Sequence, residues 1–213
     1  MSGPGSVDIP PVALPAAVVP AAGASRRMGR PKLLLPFAAG SVVGGVVAAL
    51  RGGGVGEVAL VVAPGDGELA AWARGQALVL AVNPRPEDGM LSTIRAGLAA
   101  LGGAAALAAA GRSVLVTPAD LPALSSATVR AVLAALAAGA PLAVPRHRGR
   151  RGHPLGIAAP LLPEIDRLDP AIGLRQLLDR HAAELHEVPV DDHGAVDDID
   201  TPEDYARLLD GID

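Results

Sequence analysis

The sequence predicts an α/β protein in which a mainly parallel sheet is covered by helices on both faces. Short apolar runs rich in Val, Leu and Ala alternate along the chain with longer segments of helical pattern. Polar loops that contain Gly, Ser or Asp follow the ends of several of these runs. With 213 residues the chain is long enough for one domain with a sizeable core.

The first elements are predicted on either side of one loop. Residues 1–15 are rich in Pro, Gly and Ser without a period, so they are expected to be a flexible leader to a single domain at residues 16–213. A buried strand is predicted at residues 16–19, and an apolar run at 33–35 follows the loop. Ser41 can cap a helix that runs to about Arg51, because its hydroxyl can accept from a free N–H of the first turn.

The remaining elements are predicted from strand and helix patterns bounded by Gly, Pro and Ser. In chain order they are a strand at 57–63, a short helix at 67–74, a strand at 77–82, a polar loop at 83–89, a long helix at 90–110, a strand at 113–117, a helix at 125–138, a strand at 141–145, a basic loop at 146–151, an extended segment at 154–158, helices at 160–167 and 172–181, a strand at 187–190 and a last helix from residue 202.

The composition excludes several classes of protein. The chain has no cysteine, so it has no disulfide and no thiolate metal site, and a reducing compartment is permitted. Its net charge of −4 gives no support for a nucleic-acid partner. The uncharged run at 33–50 is interrupted by Pro36 and by glycines, which argues against a membrane span. A secretory signal begins with a basic region, and no Lys or Arg precedes the first apolar residues of this chain. A cytoplasmic protein is therefore predicted.

The loop from Pro20 to Lys32 carries the strongest functional signal. Glycine lets backbone N–H groups approach a bound group closely, and successive N–H groups in a turn bind anions. Guanidinium and ammonium groups then neutralise phosphate charge, and a lysine in such a loop is expected to be solvated. A polyphosphate-binding loop is therefore predicted, although neither the Walker nor the dinucleotide glycine spacing is present and an ordinary basic turn is the alternative. The loop contains Gly23, Gly29, Ser25, Arg26, Arg27, Arg30 and Lys32.

Carboxylates are expected near this loop, since ligands of open α/β sheets bind outside the carboxyl ends of the strands. Asp120 follows a buried strand and lies between two prolines. Asp198 and Asp200 alternate around Ile199, so they are predicted to share one face of a strand. Such carboxylates suit Mg²⁺ with substrate phosphates, whereas the alternative is that they only cap turns or helices. Thr201 itself is predicted to cap the last helix.

The chain resembles a known family at this point. Residues 21–32 read A-A-G-A-S-R-R-M-G-R-P-K, and they resemble the A-A-G-x-S-x-R-M-G-x-P-K signature of the molybdenum-cofactor nucleotidyltransferases. Three further segments resemble elements of the same family: P-A-D-L-P around Asp120, D-I-D-T-P-E-D from Asp198, and the Asn83 loop with the S-T-I-R-A-G-L run that follows it. Gly152-His153-Pro154 resembles a segment near the family's acceptor. The resemblance extends from residue 16 to residue 210.

The resemblance implies a three-layer, Rossmann-like nucleotidyltransferase fold and an enzyme dependent on Mg²⁺ or Mn²⁺. The reaction implied is transfer of CMP from CTP to a molybdopterin-type phosphorylated acceptor, with pyrophosphate released. Two departures leave the base and the acceptor open, since P-A-D-L-P replaces the more usual G-D-Q-P and Pro20 replaces the usual Leu, and a guanylyltransferase of the same fold is therefore an alternative. A non-catalytic nucleotide-binding regulatory module is an alternative of another class. Contact with a molybdoenzyme or its chaperone is a further implication.

The same resemblance implies roles for individual residues. Lys32, Arg27 and Asp120 are expected to be catalytic, and Asp120 and Asp200 to hold the metal, with Asp198 in reserve. His153 is expected to contact the acceptor, although the basic loop before it is equally well explained as solvated. The nucleotide-binding residues implied are Ala21, Ala22, Gly23, Ser25, Arg27, Lys32, Asn83, Ser92 and Arg95.

Overall fold

The computed structural model describes residues 13–23, 31–38 and 40–210. Most of the predicted leader, at residues 1–12, lies outside the described residues. Ser25 and Arg27, both predicted to bind nucleotide, also lie outside them, so their roles stay predictions. None of the helices in the described ranges combines the length and the apolar character needed to cross a bilayer.

The described residues form ten strands, seven α-helices and three 3₁₀ segments. The strands are β1 (Ala16–Pro20), β2 (Pro36–Phe37), β3 (Gly40–Ser41), β4 (Glu57–Val62), β5 (Val79–Val82), β6 (Val114–Val116), β7 (Leu142–His147), β8 (Arg150–Arg151), β9 (Leu155–Ile157) and β10 (Leu185–Pro189). The α-helices are α1 (Val42–Gly52), α2 (Gly67–Gly75), α3 (Met90–Ala100), α4 (Ala104–Ala109), α5 (Ser126–Ala137), α6 (Arg175–Arg180) and α7 (Pro202–Asp210). The 3₁₀ segments are Pro86–Asp88, Ala159–Arg167 and His193–Ala195.

The central sheet has the strand order β10-β7-β9-β6-β1-β4-β5. Pairing is parallel except at β9, which runs antiparallel to both β6 and β7, and at β8, which folds back on β7. The prediction of a mainly parallel α/β sheet is confirmed. Because β1 and β6 are parallel neighbours, the loop after Pro20 and the loop after Val116 leave the same edge of the sheet.

Two apolar cores lie on opposite faces of the sheet, as the three-layer prediction requires. Strand β1 is fully buried, and its successive side chains point to alternate faces. Ala17 and Val19 join the core formed with α1, α2 and α5. Ala16 and Val18 join the core formed with α3, α4, α6 and the 3₁₀ segment Ala159–Arg167. Full burial of each Val or Leu side chain in these cores stabilises the fold by about 1.5–3 kcal/mol.

A third and smaller apolar cluster attaches the C-terminal segment to the β2–β3 hairpin. Phe37, Val42, Ile199 and Leu208 are buried together in it. The Tyr205 hydroxyl also donates a hydrogen bond to the Pro36 carbonyl. The cluster therefore holds the segment that carries Asp198 and Asp200 close to the segment that carries Lys32.

Three local predictions were wrong. The long helix predicted at 90–110 is divided into α3 and α4, because Gly102 and Gly103 adopt left-handed φ values of 103° and 95°. The basic loop predicted at 146–151 is largely a hairpin, since β8 pairs with the end of β7. Residues 197–200 are not in a strand, and Ile199 instead donates its backbone N–H to the Asp120 carbonyl.

Candidate active site

The segment after β1 continues the strand into a cavity at the edge of the sheet. The Ala21 N–H donates to the Val61 carbonyl at 2.8 Å, and Ala21 and Ala22 are buried. Gly23 is exposed, and a Cβ built there would meet no atom of the described residues within 4 Å. Packing among those residues therefore does not require glycine at this position.

The cavity has a volume of about 290 Å³ and contains the main predicted site residues. Its walls come from Pro20 to Gly23, from Lys32, and from Asp120 and Asp200. The opposite wall is the start of α3, where Gly89, Met90 and Thr93 face the cavity. The sequence predicted a nucleotide-binding junction here but indicated Asn83, Ser92 and Arg95. The position of Gly89, Met90 and Thr93 at the helix N-terminus was the signal that could have identified them.

Three carboxylates converge beside this cavity, and two of them, Asp120 and Asp200, line it. One oxygen each from Asp120, Asp198 and Asp200 lies within 4.8 Å of the others. The Asp120 loop is held from two sides by glycines. A Cβ on Gly45 of α1 would stand 2.3 Å from the Pro122 carbonyl oxygen, and a Cβ on Gly194 would stand 2.1 Å from that of Ala123. Because neither position accepts a larger residue without a shift of backbone, the close approach of these elements fixes where Asp120 lies.

Lys32, the single lysine of the sequence, lies among the carboxylates. Its ammonium donates to Asp120 Oδ2 at 2.8 Å, to Asp200 Oδ1 at 3.2 Å and to the Ile199 carbonyl. The side chain is 11% exposed, so the expectation of a solvated ammonium was wrong. Burial, the largest single influence, lowers the pKa of Lys32, but the hydrogen bonds and charges of Asp120 and Asp200 together outweigh it. The pKa is therefore raised and the ammonium stays charged.

The carboxylate cluster has the donor set of a divalent-cation site. Asp120 Oδ1 is buried and has no hydrogen-bond partner among the described residues. Such an orphaned oxygen is costly unless a ligand satisfies it. Three carboxylates and one ammonium leave a formal charge of −2, and oxygen ligands are the ones that Mg²⁺ and Mn²⁺ prefer. The residues present therefore fit Mg²⁺ or Mn²⁺.

At the start of α7, the residues that cap the helix differ from the candidate metal ligands Asp198 and Asp200. The Asp204 N–H donates to Thr201 Oγ1 at 3.2 Å, while Asp204 Oδ2 accepts from the Thr201 hydroxyl at 2.9 Å and the Thr201 N–H at 3.0 Å. The predicted Thr201 cap is confirmed as a reciprocal box. The hydrogen bond from the Thr201 hydroxyl is the main cause that lowers the pKa of Asp204. Capping is thus performed by Thr201 and Asp204.

Asn83, Ser92 and Arg95 are not brought to the carboxylate cavity. Asn83 is 2% exposed and donates to Ser92 Oγ at 2.8 Å and Thr93 Oγ1 at 3.0 Å. The Ser92 hydroxyl donates to the Gly89 carbonyl at 2.8 Å. These bonds shape the start of α3, and the three residues line a separate cavity of about 550 Å³.

The guanidinium of Arg95 makes its contacts with another part of the chain. It donates to the backbone carbonyls of Ile165, Asp166 and Leu168. It thereby satisfies acceptors near the end of the 3₁₀ segment Ala159–Arg167. These contacts are structural. The position of Arg95 therefore gives no support to the prediction that it binds nucleotide.

His153 lies beside a second cavity, of about 350 Å³, that adjoins the first one. Its backbone N–H donates to the Ala195 carbonyl at 2.8 Å, and the His153–Pro154 peptide bond is cis. Burial is the main cause that lowers the pKa of His153, while Asp120 and Asp198 act in the opposite direction. The imidazole is therefore neutral near pH 7, and an acceptor would meet an uncharged ring.

Known proteins resemble this chain along most of its length. Residues 17–185 match the family described as the MobA-like NTP transferase domain. The chain is 26% identical over 193 residues to the molybdenum cofactor cytidylyltransferase of Escherichia coli (strain K12), a match that covers 88% of this chain and 92% of that protein.

Solved structures of similar fold cover nearly the whole chain. A nucleotidyl transferase from Methanothermobacter thermautotroptrophicus is 26% identical, with a TM-score of 0.75 over 93% of this chain and 97% of that one. Rv0371c of Mycobacterium tuberculosis H37Rv, solved in complex with manganese, is 24% identical, with a TM-score of 0.65 over 93% of this chain and 99% of that one. The second likeness supports the fold alone.

Proposed function

Because the chain belongs to the family of MobA-like NTP transferase domains, we propose that it transfers CMP from CTP to a phosphorylated acceptor of the molybdopterin type and releases pyrophosphate. Nucleotidyl transfer is the activity of the family. The choice of cytidine and of this acceptor is supported by the name of the Escherichia coli relative, which aligns over 88% of the chain. The observation that carries the proposal is the meeting of Lys32, Asp120, Asp198 and Asp200 beside the Ala21–Gly23 segment.

The proposed reaction needs no nucleophilic side chain. An oxygen of the acceptor phosphate attacks the α-phosphorus of CTP, a new P–O bond forms, and the bond to the β-phosphate breaks to release pyrophosphate. A divalent ion, Mg²⁺ or Mn²⁺, would supply charge neutralisation to the phosphates. Asp120 and Asp200 would hold that ion, with Asp198 as the third carboxylate, and Arg27 with the Gly23 backbone would hold the outer phosphates.

Lys32 would stabilise the charge that develops on the α-phosphate. An ammonium has three N–H donors, and here all three go to protein acceptors. Contact with a phosphate oxygen therefore requires one bond to be exchanged. The 3.2 Å bond to Asp200 is the longest of the three and is the one we expect to be released.

A direct test measures pyrophosphate release from each of the four common NTPs, with molybdopterin as acceptor and with Mg²⁺ or Mn²⁺. We expect turnover with CTP and its loss in Asp120→Asn, while the matched change Asp166→Asn on an exposed residue retains it. If only GTP supports turnover, the proposed activity becomes guanylyl transfer instead of cytidylyl transfer. CTP binding without turnover under any of these conditions would instead favour a regulatory nucleotide-binding module.

The same proposal places the reaction in the cytoplasm, where a chain without cysteine has no need of oxidising conditions. Delivery of the product to a molybdoenzyme or its chaperone belongs to this proposal as well. A pull-down of the purified protein with a molybdoenzyme, with and without CTP and acceptor, tests that step.

A further inference from the structure

Asp192 lies in the turn that precedes the carboxylates Asp198 and Asp200, and its side chain bonds to a helix from a distant part of the chain. Asp192 Oδ2 accepts a hydrogen bond from the Ser125 N–H at 3.0 Å and another from the Thr128 hydroxyl at 2.6 Å. Both donors belong to the start of α5, and they lie 67 and 64 residues away in sequence. The carboxylate therefore ties the segment of Asp198 and Asp200 to the start of α5.

Helix α5 already has a cap of its own. Ser125 is its N-cap residue, and the Ser125 hydroxyl accepts from the Thr128 N–H at 3.1 Å. The Asp192 carboxylate comes from outside the helix and accepts from the Ser125 N–H and the Thr128 hydroxyl. An anion is stabilised at a helix N-terminus, and hydrogen bonds to a charged acceptor are roughly twice as strong as neutral ones. The contact is therefore a strong link between two segments and adds to the local cap.

The other oxygen of Asp192 shapes the turn itself. Asp192 Oδ1 accepts from the Gly194 N–H at 3.0 Å, within the 3₁₀ segment His193–Ala195. Gly194 in turn lies against the Asp120 loop, since a Cβ on it would stand 2.1 Å from the Ala123 carbonyl oxygen. The two oxygens of Asp192 thus hold this turn against the start of α5 and against the loop that carries Asp120.

The same turn leads into the candidate cation site. Beyond it, the Ile199 N–H donates to the Asp120 carbonyl at 3.0 Å, and one oxygen each from Asp120, Asp198 and Asp200 lies within 4.8 Å of the others. Asp198 is exposed, so packing around its side chain does little to place it, and its position depends on the backbone. A turn that is anchored through Asp192 fixes that backbone.

We propose that Asp192 is a positioning residue for the candidate cation site. By tying the turn to α5 it sets the separation of Asp120 from Asp198 and Asp200, and thereby the affinity for Mg²⁺ or Mn²⁺. The inference rests on the cation site of the proposed function and assigns a role to a residue outside that site. Because both oxygens of Asp192 accept from protein donors, Asp192 makes no contact with the cation. Replacing groups that hold metal ligands in place commonly weakens metal binding roughly 10–100-fold.

The test measures Mn²⁺ binding to the full chain without nucleotide, with free Mn²⁺ detected by electron paramagnetic resonance. Asp192→Asn keeps the shape of the side chain, but its NH₂ group must face either the Ser125 N–H or the Gly194 N–H, so one backbone donor loses its acceptor. The dissociation constant for Mn²⁺ should rise about tenfold. Asp191→Asn is the control, because it removes the same charge from an adjacent side chain that is 99% exposed, and it should change this constant by less than about twofold.

Thr128 provides a second test that leaves the charge of Asp192 in place. Thr128→Val removes the hydroxyl that donates to Asp192 Oδ2 and keeps the size of the side chain, whereas Thr128→Ser keeps the hydroxyl. Loss of this one hydrogen bond should weaken Mn²⁺ binding about threefold in Thr128→Val, and Thr128→Ser should restore it. If Asp192→Asn does not fold, this pair decides the question, and equal affinity in Thr128→Val and the wild type then overturns the inference.

Thermal melts in EDTA separate positioning from a loss of stability alone. Asp192→Asn should lower the melting temperature in either case, so Mn²⁺ affinity is compared at a temperature where every variant is folded. Wild-type affinity in the folded Asp192→Asn variant would overturn the positioning role. Equal weakening in Asp191→Asn would overturn it as well, because the effect would then be one of charge.

Turnover is scored separately, so that this inference and the proposed function can fail independently. Weaker Mn²⁺ binding in Asp192→Asn, with no pyrophosphate release by the wild type, would support positioning and contradict nucleotidyl transfer. Release by the wild type, with equal Mn²⁺ affinity in the wild type and Asp192→Asn, would support transfer and overturn positioning. Absence of Mn²⁺ binding by the wild type would overturn positioning and remove the cation from the proposed mechanism.

Discussion

Replacement of Lys32 by methionine should destabilise the metal-free protein, because the ammonium holds together three segments of the chain. Methionine keeps the length of the side chain but removes the donors to Asp120, Asp200 and Ile199. Removing one partner of a fully buried ion pair costs about 3–5 kcal/mol. Here the side chains of Lys32, Asp120 and Asp200 are 11%, 20% and 40% exposed, so solvent screens part of the interaction.

We expect Lys32→Met to lower the free energy of unfolding by about 2 kcal/mol, a value between those for exposed and for buried ion pairs. For a domain of this size that corresponds to a melting temperature lower by roughly 4–8 °C. The measurement is thermal unfolding followed by circular dichroism, with EDTA present. Arg85→Met is the control, because Arg85 is 74% exposed in its 3.2 Å pair with Asp88 and should cost less than about 0.5 kcal/mol.

Added Mn²⁺ gives a second reading of the same prediction. The wild-type cluster has a formal charge of −2, from three carboxylates and Lys32, and the variant has −3. Mn²⁺ should therefore raise the melting temperature of Lys32→Met by more than it raises that of the wild type. If Lys32→Met melts within 1 °C of the wild type in EDTA, the ammonium does not hold the segments together and the reasoning fails.

Three further predictions follow from the site. Gly194→Ala should lower the free energy of unfolding in urea by about 1–3 kcal/mol, because its Cβ would stand 2.1 Å from the Ala123 carbonyl oxygen. Gly23→Ala, whose Cβ would meet no atom of the described residues within 4 Å, should leave that free energy unchanged. Thr201→Ala should cost about 1 kcal/mol at pH 6. Because the pKa of Asp204 is lowered from 3.8, its stabilising contribution is present above that pH and is lost as pH falls through the folded value, so this cost should shrink on acidification. Asp200→Ala should abolish the Mn²⁺-induced rise in melting temperature. Asp197→Ala, which changes a neighbouring carboxylate outside the cluster, should retain that rise. If Asp200→Ala retains the rise and Asp198→Ala loses it, Asp198 is the principal ligand.

The α3 junction shows where residue type alone is insufficient. The family resemblance implied that Asn83, Ser92 and Arg95 bind nucleotide, and that assignment stays a prediction. In the structure their polar atoms bond within the protein, and the carbonyls that accept from Arg95 lie about 70 residues away in sequence. A sequence pattern places a polar residue near an edge of the sheet, but it does not show which acceptor is closest.

The sequence by itself determined the alternation of strands and helices, the family signature at 21–32 and the candidate carboxylates Asp120, Asp198 and Asp200, because each of these depends on local pattern or residue type. Only the tertiary structure decided that Lys32 would stand between carboxylates 88 and 168 residues distant, where burial and charge change its chemistry. It likewise decided that Ile94, Val144 and Leu178 would form one aliphatic wall beside that group. The physical reason is that such contacts are set by parallel strand order and helix packing, which bring distant segments to one edge of the sheet.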